Sequence, residues 1–332
     1  MSSAFLRIAI AIVTLLCGLA SSHVLAQRKP LLPDGFPSKP IRVIVTTGSG
    51  GGLDIITRAV SNKFSERTGA TMVVDNQPGG SGGVALNQTA LSPADGYTIV
   101  SAGSTLLINA AGGRYPHDVR TLLVPLVRMS STWYYLIVPT ASPAKSFKDL
   151  IAYAKANPGK LNYGSNGIGS AMHLGLELLE VGAGVDMVHV PYKSSTPMYV
   201  DLIGGRIDLA LASLQGVQAV NSGKARLLGV TRPQRFPDYP DTPTIAEMGI
   251  PNYEVVNSYM LYIHARTPAP TVNALNREFV QAVSSPDLRE KMAADGALPG
   301  APLGPAELNA AYVADYARWD GVMKKAGIKL EE

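Results

Sequence analysis

The sequence contains a single cysteine, Cys17, which lies inside an N-terminal segment that has the features of a secretory signal. In that segment Arg7 supplies a positive charge, residues 8–19 form a mostly apolar run, and residues 24–26 form a cleavage pattern that ends in Ala26. We therefore predict that residues 1–26 are a signal peptide. Its removal would leave a chain without cysteine, which excludes disulfides and thiolate metal sites.

Other absences exclude further classes of function. No later apolar run reaches the roughly 20 residues that a membrane-spanning helix needs, so we expect a soluble mature chain. Lysine and arginine are scattered although the net charge is +4, which argues against a nucleic-acid surface. There is no Walker A motif, and the histidines of the mature chain lack metal-ligand spacing. The sequence therefore predicts neither a metal nor a cofactor.

Short apolar runs alternate with segments of helical periodicity along most of the chain, a rhythm that predicts an α/β fold. The strand candidates are Ile41–Val45, Met72–Val74, Tyr97–Val100, Met187–Val190, Ile207–Leu211, Leu227–Val230 and Tyr259–Ile263. The length suggests two domains of about 150 residues each. Residues 27–39 are rich in proline and are predicted to be a tether. An apolar stripe on the last helix, which includes Tyr312 and Trp319, predicts core packing.

Three glycine-rich segments stand where a predicted strand gives way to a helix. We call residues 47–52 the first loop, residues 78–83 the second loop and residues 164–170 the third loop. Ligands of open α/β sheets collect outside the carboxyl ends of the strands. A glycine-rich turn that opens a helix presents unpaired backbone N–H groups and a positive dipole end, which together can hold a carboxylate. The loops therefore predict an anion site.

An alternative prediction is a hydrolase with Ser81 as its nucleophile, because residues 79–83 also fit the G-x-S-x-G pattern of hydrolases. A nucleophile elbow needs an apolar strand leading directly into it, whereas Asn76-Gln77-Pro78 intervenes here. Glycine-dense segments match such patterns readily by chance. We therefore favour binding without catalysis, and keep a secreted α/β hydrolase using Ser81 as the alternative.

Several segments, taken in order and spacing, resemble the solute-binding proteins of tripartite tricarboxylate transporters, known as the Bug type. They are Pro40-Ile41-Arg42-Val43-Ile44-Val45, Asp75-Asn76-Gln77-Pro78-Gly79-Gly80, Ser92-Pro93-Ala94-Asp95-Gly96-Tyr97, Asn157-Pro158-Gly159-Lys160-Leu161-Asn162-Tyr163, His189-Val190-Pro191-Tyr192-Lys193 and Pro240-Asp241-Thr242-Pro243-Thr244. The resemblance runs from about Pro37 to Leu330, almost the whole mature chain.

The resemblance implies a two-lobed, periplasmic-binding-protein-like fold of type II (Venus flytrap), each lobe a mixed, mainly parallel sheet flanked by helices. The implied lobes are residues 40–137 with 260–332, and residues 138–259, joined by crossing strands near residues 136–138 and 259–263. It also implies a periplasmic protein, expected to be a monomer, that delivers a small organic carboxylate to integral-membrane permease subunits. A periplasmic sensor that presents its liganded form to a signalling receptor is a second alternative.

The predicted ligand-binding residues are mostly glycines and small hydroxyl residues of the three loops. They are Thr47, Gly48, Ser49, Gly50, Gly51, Gly80, Ser81, Gly82, Ser104, Ser165, Gly169, Ser170, His173 and Ser213. For His173, contact with the ligand and capping of the third loop are both open. Where many relatives carry an aspartate this chain has Ala212, which removes a partner for a ligand ammonium. We therefore expect a simple mono- or dicarboxylate rather than an amino acid.

Overall fold

The computed structural model describes residues 32–33, 35–294, 296–328 and 330, so the predicted signal segment 1–26 lies outside the described residues. No helix in the described part of the chain combines the length and apolar character needed to cross a bilayer.

Strands and helices alternate along the chain. The elements up to residue 133 are β1 (Ile41–Val45), α1 (Gly52–Thr68), β2 (Met72–Asn76), a 3-10 turn (Gly80–Gly82), α2 (Gly83–Leu91), β3 (Thr98–Ala102), α3 (Ser104–Ala111), α4 (Val119–Leu122) and β4 (Leu123–Trp133). The remainder are β5 (Tyr135–Pro139), α5 (Phe147–Ala156), β6 (Asn162–Ser165), α6 (Ala171–Ala183), β7 (Val188–Pro191), α7 (Ser195–Ile203), β8 (Leu209–Ala212), α8 (Leu214–Asn221), β9 (Ala225–Val230), β10 (Val256–His264), α9 (Ala269–Val283), α10 (Pro286–Ala294), β11 (Leu298–Pro299) and α11 (Pro305–Ala326).

The strands form two sheets. The first has the order β11-β4-β10-β3-β1-β2 and the second has the order β7-β6-β8-β5-β9. In the first sheet β1 pairs in parallel with β2 and β3, and in the second β6 pairs in parallel with β7 and β8. The strands β4, β5 and β10 make antiparallel pairs. Two mixed α/β sheets confirm the predicted fold class, although the antiparallel share is larger than the sequence indicated.

The central strand of the parallel set in the first sheet, β1, is mostly apolar because helices cover both of its faces. In β1, Ile41, Val43, Ile44 and Val45 are all fully buried, as expected for a strand inside an α/β sheet. The structure begins and ends β1 at the predicted residues. The other predicted strands are present with bounds shifted by a few residues, as capping and fraying allow.

The chain passes between the two sheets at two places. The first passage is Tyr134, the single residue between β4 and β5; the second lies between β9 and β10. Residues 136–138, predicted as a crossing, lie within β5 of the second sheet, and residues 259–263 lie within β10 of the first. The domain bounds given above therefore stay a prediction, and the strands change sheets at Tyr134.

Thr231 ties the two passages together. Its N–H donates to the Tyr134 carbonyl at 2.9 Å, and its hydroxyl accepts from the Tyr134 N–H at 2.9 Å. The same hydroxyl donates to the Val255 carbonyl at 2.7 Å, and the Val255 N–H donates to the Thr231 carbonyl at 3.2 Å. Because Thr231 is fully buried, these bonds hold both connections at a common point.

The last helix, α11, packs on elements that belong to both sheets. It contacts β4 and α3 on the first side and α6 on the second. Tyr312 and Trp319 are each 1% exposed, which confirms that the aromatic stripe is core.

Part of the segment predicted as a tether is packed against the first sheet. Leu32 is buried in the core beneath that sheet. The rings of Phe36 and Tyr97 lie 4.8 Å apart, and the Ser38 N–H donates to the Tyr97 hydroxyl at 2.7 Å. The described end of this segment is therefore part of the folded lobe, because its two apolar side chains find partners there.

Candidate functional site

The first and second loops lie next to each other at the carboxyl ends of β1 and β2. These strands are parallel neighbours, so their following loops emerge at the same edge of the sheet. A Cβ built on Gly82 would come within 2.9 Å of Leu106 and 3.4 Å of the methyl carbon of Thr46, which directly precedes the first loop. The juxtaposition expected from the sequence is therefore present.

Asp54 stabilises the first loop through hydrogen bonds. Its carboxylate accepts from the Gly50 N–H at 2.9 Å, from Arg58 at 3.0 Å and from Asn76 at 2.9 Å. The hydrogen bonds from Arg58 and then from Gly50 lower the pKa of Asp54 to about 2. The N–H of Gly50 is thus already bonded within the protein.

Other donors of the first loop are unbonded. The N–H groups of Gly48, Ser49 and Gly51 have no hydrogen-bond partner among the described residues. They precede α1, whose N-terminal cap at Gly51 has no capping side chain. Unpaired amides at a helix N-terminus are the donors that a carboxylate accepts.

The second loop has a left-handed backbone through four successive residues. The φ angles are +138° at Gly79, +53° at Gly80, +53° at Ser81 and +107° at Gly82. Glycine adopts such angles without steric cost, whereas Ser81 does so only with support from its surroundings. That support comes from Tyr115, whose hydroxyl donates to the Ser81 carbonyl at 2.6 Å.

The Ser81 side chain contacts an arginine rather than a base. Its hydroxyl accepts from Arg114 Nη1 at 3.3 Å, and no imidazole of the described residues is hydrogen-bonded to it. A serine nucleophile requires a neighbouring general base, so the contacts of Ser81 do not favour the hydrolase reading.

Arg114 is a residue that the sequence reasoning missed. It also donates to Asn109 Oδ1 at 2.9 Å, and in the described part of the chain it forms no ion pair with a carboxylate. Asn109 is fully buried and donates to the Gly169 carbonyl at 3.5 Å. Arg114 therefore lies between the second loop and a side chain that reaches the third. It follows α3 in a turn with no motif, so only its contacts reveal it.

The third loop is stabilised by its own donors. The Gly167 N–H donates to the Ser165 hydroxyl at 3.1 Å and the Gly169 N–H to His173 Nδ1 at 3.3 Å. The Ser170 hydroxyl caps α6 by accepting from the His173 N–H at 3.2 Å, while Ser165 is fully buried. His173 thus caps the loop. Ligand contact by Ser165, Gly169, Ser170 and His173 stays a prediction, and the N–H groups of the last three are already bonded within the protein.

A cluster of aromatic and acidic groups lies beneath the third loop. The rings of His173 and His189 stack at 4.0 Å, and His189 Nε2 lies 2.7 Å from the Ser165 hydroxyl. Glu177 lies 3.4 Å from His173 Nε2 and accepts from Tyr163. Burial, followed by repulsion from His173, lowers the pKa of His189 to about 4. Within the described residues, no group of three or more His, Cys, Asp or Glu side chains could hold a metal.

The two remaining predicted serines begin helices of the two lobes. The Ser104 hydroxyl, at the start of α3, accepts from the Ser258 N–H at 2.9 Å and donates to the Val256 carbonyl at 3.3 Å. Ser213 precedes α8, and its N–H donates to the Tyr199 hydroxyl at 3.0 Å. Neither position is tested as a ligand contact, so both stay predictions.

Three tyrosines, which the sequence reasoning also missed, lie between these helix starts. Tyr259 of β10 is beside the first loop, because a Cβ on Gly52 would come within 3.1 Å of its hydroxyl oxygen. Tyr199 of α7 accepts a hydrogen bond from the Ser213 N–H. Tyr134 lies between Trp133, which pairs with Val256 beside Ser104, and Tyr135, which pairs with Ala212 beside Ser213. They come from three distant parts of the sequence, so no local pattern could group them.

Comparison with known proteins agrees with this geometry. A family model described as the tripartite tricarboxylate transporter family receptor matches residues 56–328. The protein of the tcbD-tcbE intergenic region of Pseudomonas sp. (strain P51) is 35% identical over 280 residues, covering 83% of each chain. BugT of Bordetella pertussis is 30% identical over 308 residues, covering 91% of this chain and 94% of its own.

Solved structures show the same fold. An R. palustris protein solved with adipate is 33% identical, with a TM-score of 0.74, and the match covers 89% of this chain and 99% of that one. The periplasmic binding protein BugD is 27% identical, with a TM-score of 0.71 and coverage of 89% and 100%. The two mixed sheets, the parallel strands that carry the glycine loops and these matches together show that the chain belongs to the tripartite tricarboxylate transporter receptor family, whose members are solute-binding proteins.

Proposed function

We propose that the chain is a periplasmic solute-binding protein that captures a small organic carboxylate between its lobes and delivers it to tripartite-type permease subunits. The observation that carries the proposal is the pair of glycine loops at the ends of β1 and β2, where the N–H groups of Gly48, Ser49 and Gly51 have no partner in the described part of the chain. An R. palustris relative solved with adipate supports the ligand class.

Export would follow cleavage of residues 1–26, and the mature protein would act as a monomer. The proposed lobes are residues 40–137 with 260–332, and residues 138–259. Closure of one lobe on the other would bury the ligand, with hinge motion at the two passages that Thr231 ties together.

Arg114 strengthens the anion site of the proposal. Its guanidinium touches the second loop at Ser81 and has only neutral hydrogen-bond partners among the described residues. A cation without a carboxylate partner can pair with an incoming carboxylate, whereas an arginine already in an ion pair would have to break that pair first.

A thermal-shift screen of the exported protein against mono-, di- and tricarboxylates, amino acids and their amides tests the ligand class. A ligand that binds only the folded state, at about 100 times its Kd, adds about 2.7 kcal/mol of stability. We expect stabilisation by carboxylates. If none of them stabilises the protein, and mass spectrometry of the denatured sample finds no ligand carried through purification, the proposal is wrong.

Gly51 allows a direct test of the backbone donors. Its φ of −78° suits proline, and a Cβ there would have only the Gly48 carbonyl nearby, at 3.7 Å. Gly51→Pro removes the N–H, whereas Gly51→Ala keeps it. We expect the proline variant to bind the best carboxylate about tenfold more weakly than the alanine variant, equivalent to one lost hydrogen bond to a charged group. Equal affinities would show that this donor does not hold the ligand.

Delivery to a transporter needs a cellular assay. Uptake of the labelled acid should stop in cells that lack this protein and return when the wild-type chain is restored. The Gly51→Pro variant should restore uptake only at higher acid concentration. Normal uptake without the chain, combined with loss of an acid-induced transcriptional response, would instead favour the sensor alternative.

A further inference from the structure

Tyr134 is the residue at which the chain passes from the first sheet to the second. It follows β4 and precedes β5, and both its N–H and its carbonyl are bonded to Thr231 at 2.9 Å. Its backbone is therefore anchored from both sides. These backbone bonds restrict the direction of the Tyr134 side chain at the junction of the lobes.

The hydroxyl of Tyr134 has no hydrogen-bond partner among the described residues, although the residue is only 5% exposed. Other buried tyrosines are bonded: the Tyr253 hydroxyl donates to the Gly175 carbonyl at 2.8 Å and that of Tyr163 donates to Glu177. The Tyr312 hydroxyl is also unpaired but fully enclosed, whereas that of Tyr134 retains access to solvent. A ligand that covers this hydroxyl must therefore supply a hydrogen-bond partner, since leaving a polar group buried and unpaired costs about 1–3 kcal/mol.

The surroundings of this hydroxyl connect the two halves of the predicted site. Trp133 pairs with Val256, whose carbonyl accepts from the Ser104 hydroxyl at the start of α3. On the other side of Tyr134, Tyr135 pairs with Ala212, which directly precedes Ser213 at the start of α8. Tyr259 borders Gly52 and Gly103 at the first loop and the start of α3, and Tyr199 is bonded to Ser213 at the start of α8. Tyr134 thus lies between the helix starts of opposite lobes.

The charge state of these phenols makes them donors at neutral pH. Burial raises the pKa of Tyr134, of Tyr199 and of Tyr259 above the ordinary tyrosine value. Each hydroxyl therefore keeps its proton. The Tyr199 hydroxyl already has a partner in Ser213, and that of Tyr259 interacts with the Asn257 side chain, which leaves Tyr134 to donate to a ligand.

We propose that Tyr134 is a specificity-determining residue that donates a hydrogen bond to a second polar group of the bound acid. The inference rests on the proposed function, in which the first and second loops hold one carboxylate. The ligand class is then a small acid with a carboxylate, hydroxyl or carbonyl at its other end. If an alkyl monoacid bound, the Tyr134 hydroxyl would be left without a partner in the closed cleft. Sites that hydrogen-bond a polar group of the ligand reject analogues that lack this group.

The test compares Tyr134→Phe with the neighbouring Tyr135→Phe by calorimetric titration. Tyr135 is a matched control, because its ring stacks on Phe236 at 4.6 Å within the second lobe. The probes are acids of equal chain length with and without a second polar end: succinate, 4-hydroxybutanoate and butanoate, then adipate and hexanoate.

We expect Tyr134→Phe to weaken the acids with two polar ends by about tenfold, and to change the binding of the alkyl monoacids by less than about twofold. The Tyr135→Phe protein should bind every probe as the wild type does. Since the lost hydroxyl has no partner among the described residues, the unliganded Tyr134→Phe protein should melt no lower than the wild type.

Three results would overturn the inference: unchanged affinities in Tyr134→Phe, equal weakening for the acids with one and two polar ends, or a lowered melting temperature without ligand. The last would show that the hydroxyl supports the fold. Failure of the proposed function looks different, because the wild-type protein would then bind none of the acids.

Discussion

Replacing Arg114 with glutamine removes one positive charge beside the second loop. The amide can still donate to Ser81 or Asn109, which Arg114 contacts at 3.3 Å and 2.9 Å, so the loop should keep its shape. A hydrogen bond between a cation and a carboxylate contributes about 1.5–3 kcal/mol net. Arg114 is partly exposed, and solvent screening reduces that figure. We therefore expect a loss of about 1–2 kcal/mol, which is about a 5- to 30-fold weaker affinity for the best carboxylate.

Two control variants separate charge from structure. Arg120→Gln removes a nearby arginine that already pairs with Asp118 at 2.7 Å, and it should leave binding unchanged. Tyr115→Phe removes the other support of Ser81, the 2.6 Å bond to its carbonyl, without changing any charge.

The assay is calorimetric titration at low and high salt. Ionic screening should weaken binding to the wild type more than binding to Arg114→Gln, because only the wild type has this charge to screen. The reasoning fails if Arg114→Gln binds within about twofold of the wild type, or if its salt dependence is unchanged. A loss equal to that of Tyr115→Phe, with unchanged salt dependence, would assign Arg114 to positioning the loop.

Three further predictions concern stability. Thr231→Val should lower the free energy of unfolding by about 1–3 kcal/mol in chemical denaturation, because buried backbone groups of both passages lose their bond to the hydroxyl. An unchanged free energy would show that Thr231 does not stabilise the two passages. Ser170→Ala should lower the free energy of unfolding by about 1 kcal/mol because the Ser170 hydroxyl caps α6. Ser194→Ala should leave it nearly unchanged because Ser194 precedes α7 without a side-chain cap bond. Equal losses in the two variants would contradict the capping argument. Because the pKa of His189 is about 4 in the folded protein and 6.5 ordinarily, its neutral form stabilises the fold above pH 6.5 and that contribution is lost as the pH falls towards 4. His189→Gln should therefore flatten the decline of unfolding free energy between those pH values, and an unchanged slope would place the acid sensitivity elsewhere.

The sequence by itself determined the elements that local patterns encode. The run Ile41 to Val45 is apolar except for Arg42 because helices cover both faces of the sheet, and that run marked β1 at its correct bounds. Glycines after two strands located the first and second loops, because left-handed turns there admit few other residues. The order of short motifs was enough to recognise the family, which the comparisons confirm.

The tertiary structure decided which donors of those loops are free. From sequence the three loops looked alike, yet His173 and Ser165 bond the amides of the third loop, and Asp54 bonds Gly50 in the first. Such bonds depend on side-chain directions that composition and spacing do not specify. The third loop therefore resembles the others in sequence and differs from them in chemistry.

Only the folded chain brings together the residues that are most informative about the ligand. Arg114 reaches Ser81 across 33 positions of sequence. Tyr134 comes between Val256 of β10 and Ala212 of β8 because its two neighbours pair with those residues, one in each sheet. Local propensity determines strands, helices and turns, since these depend on neighbours a few residues apart. The ligand site depends on contacts between distant segments, and those exist only once the two sheets have formed.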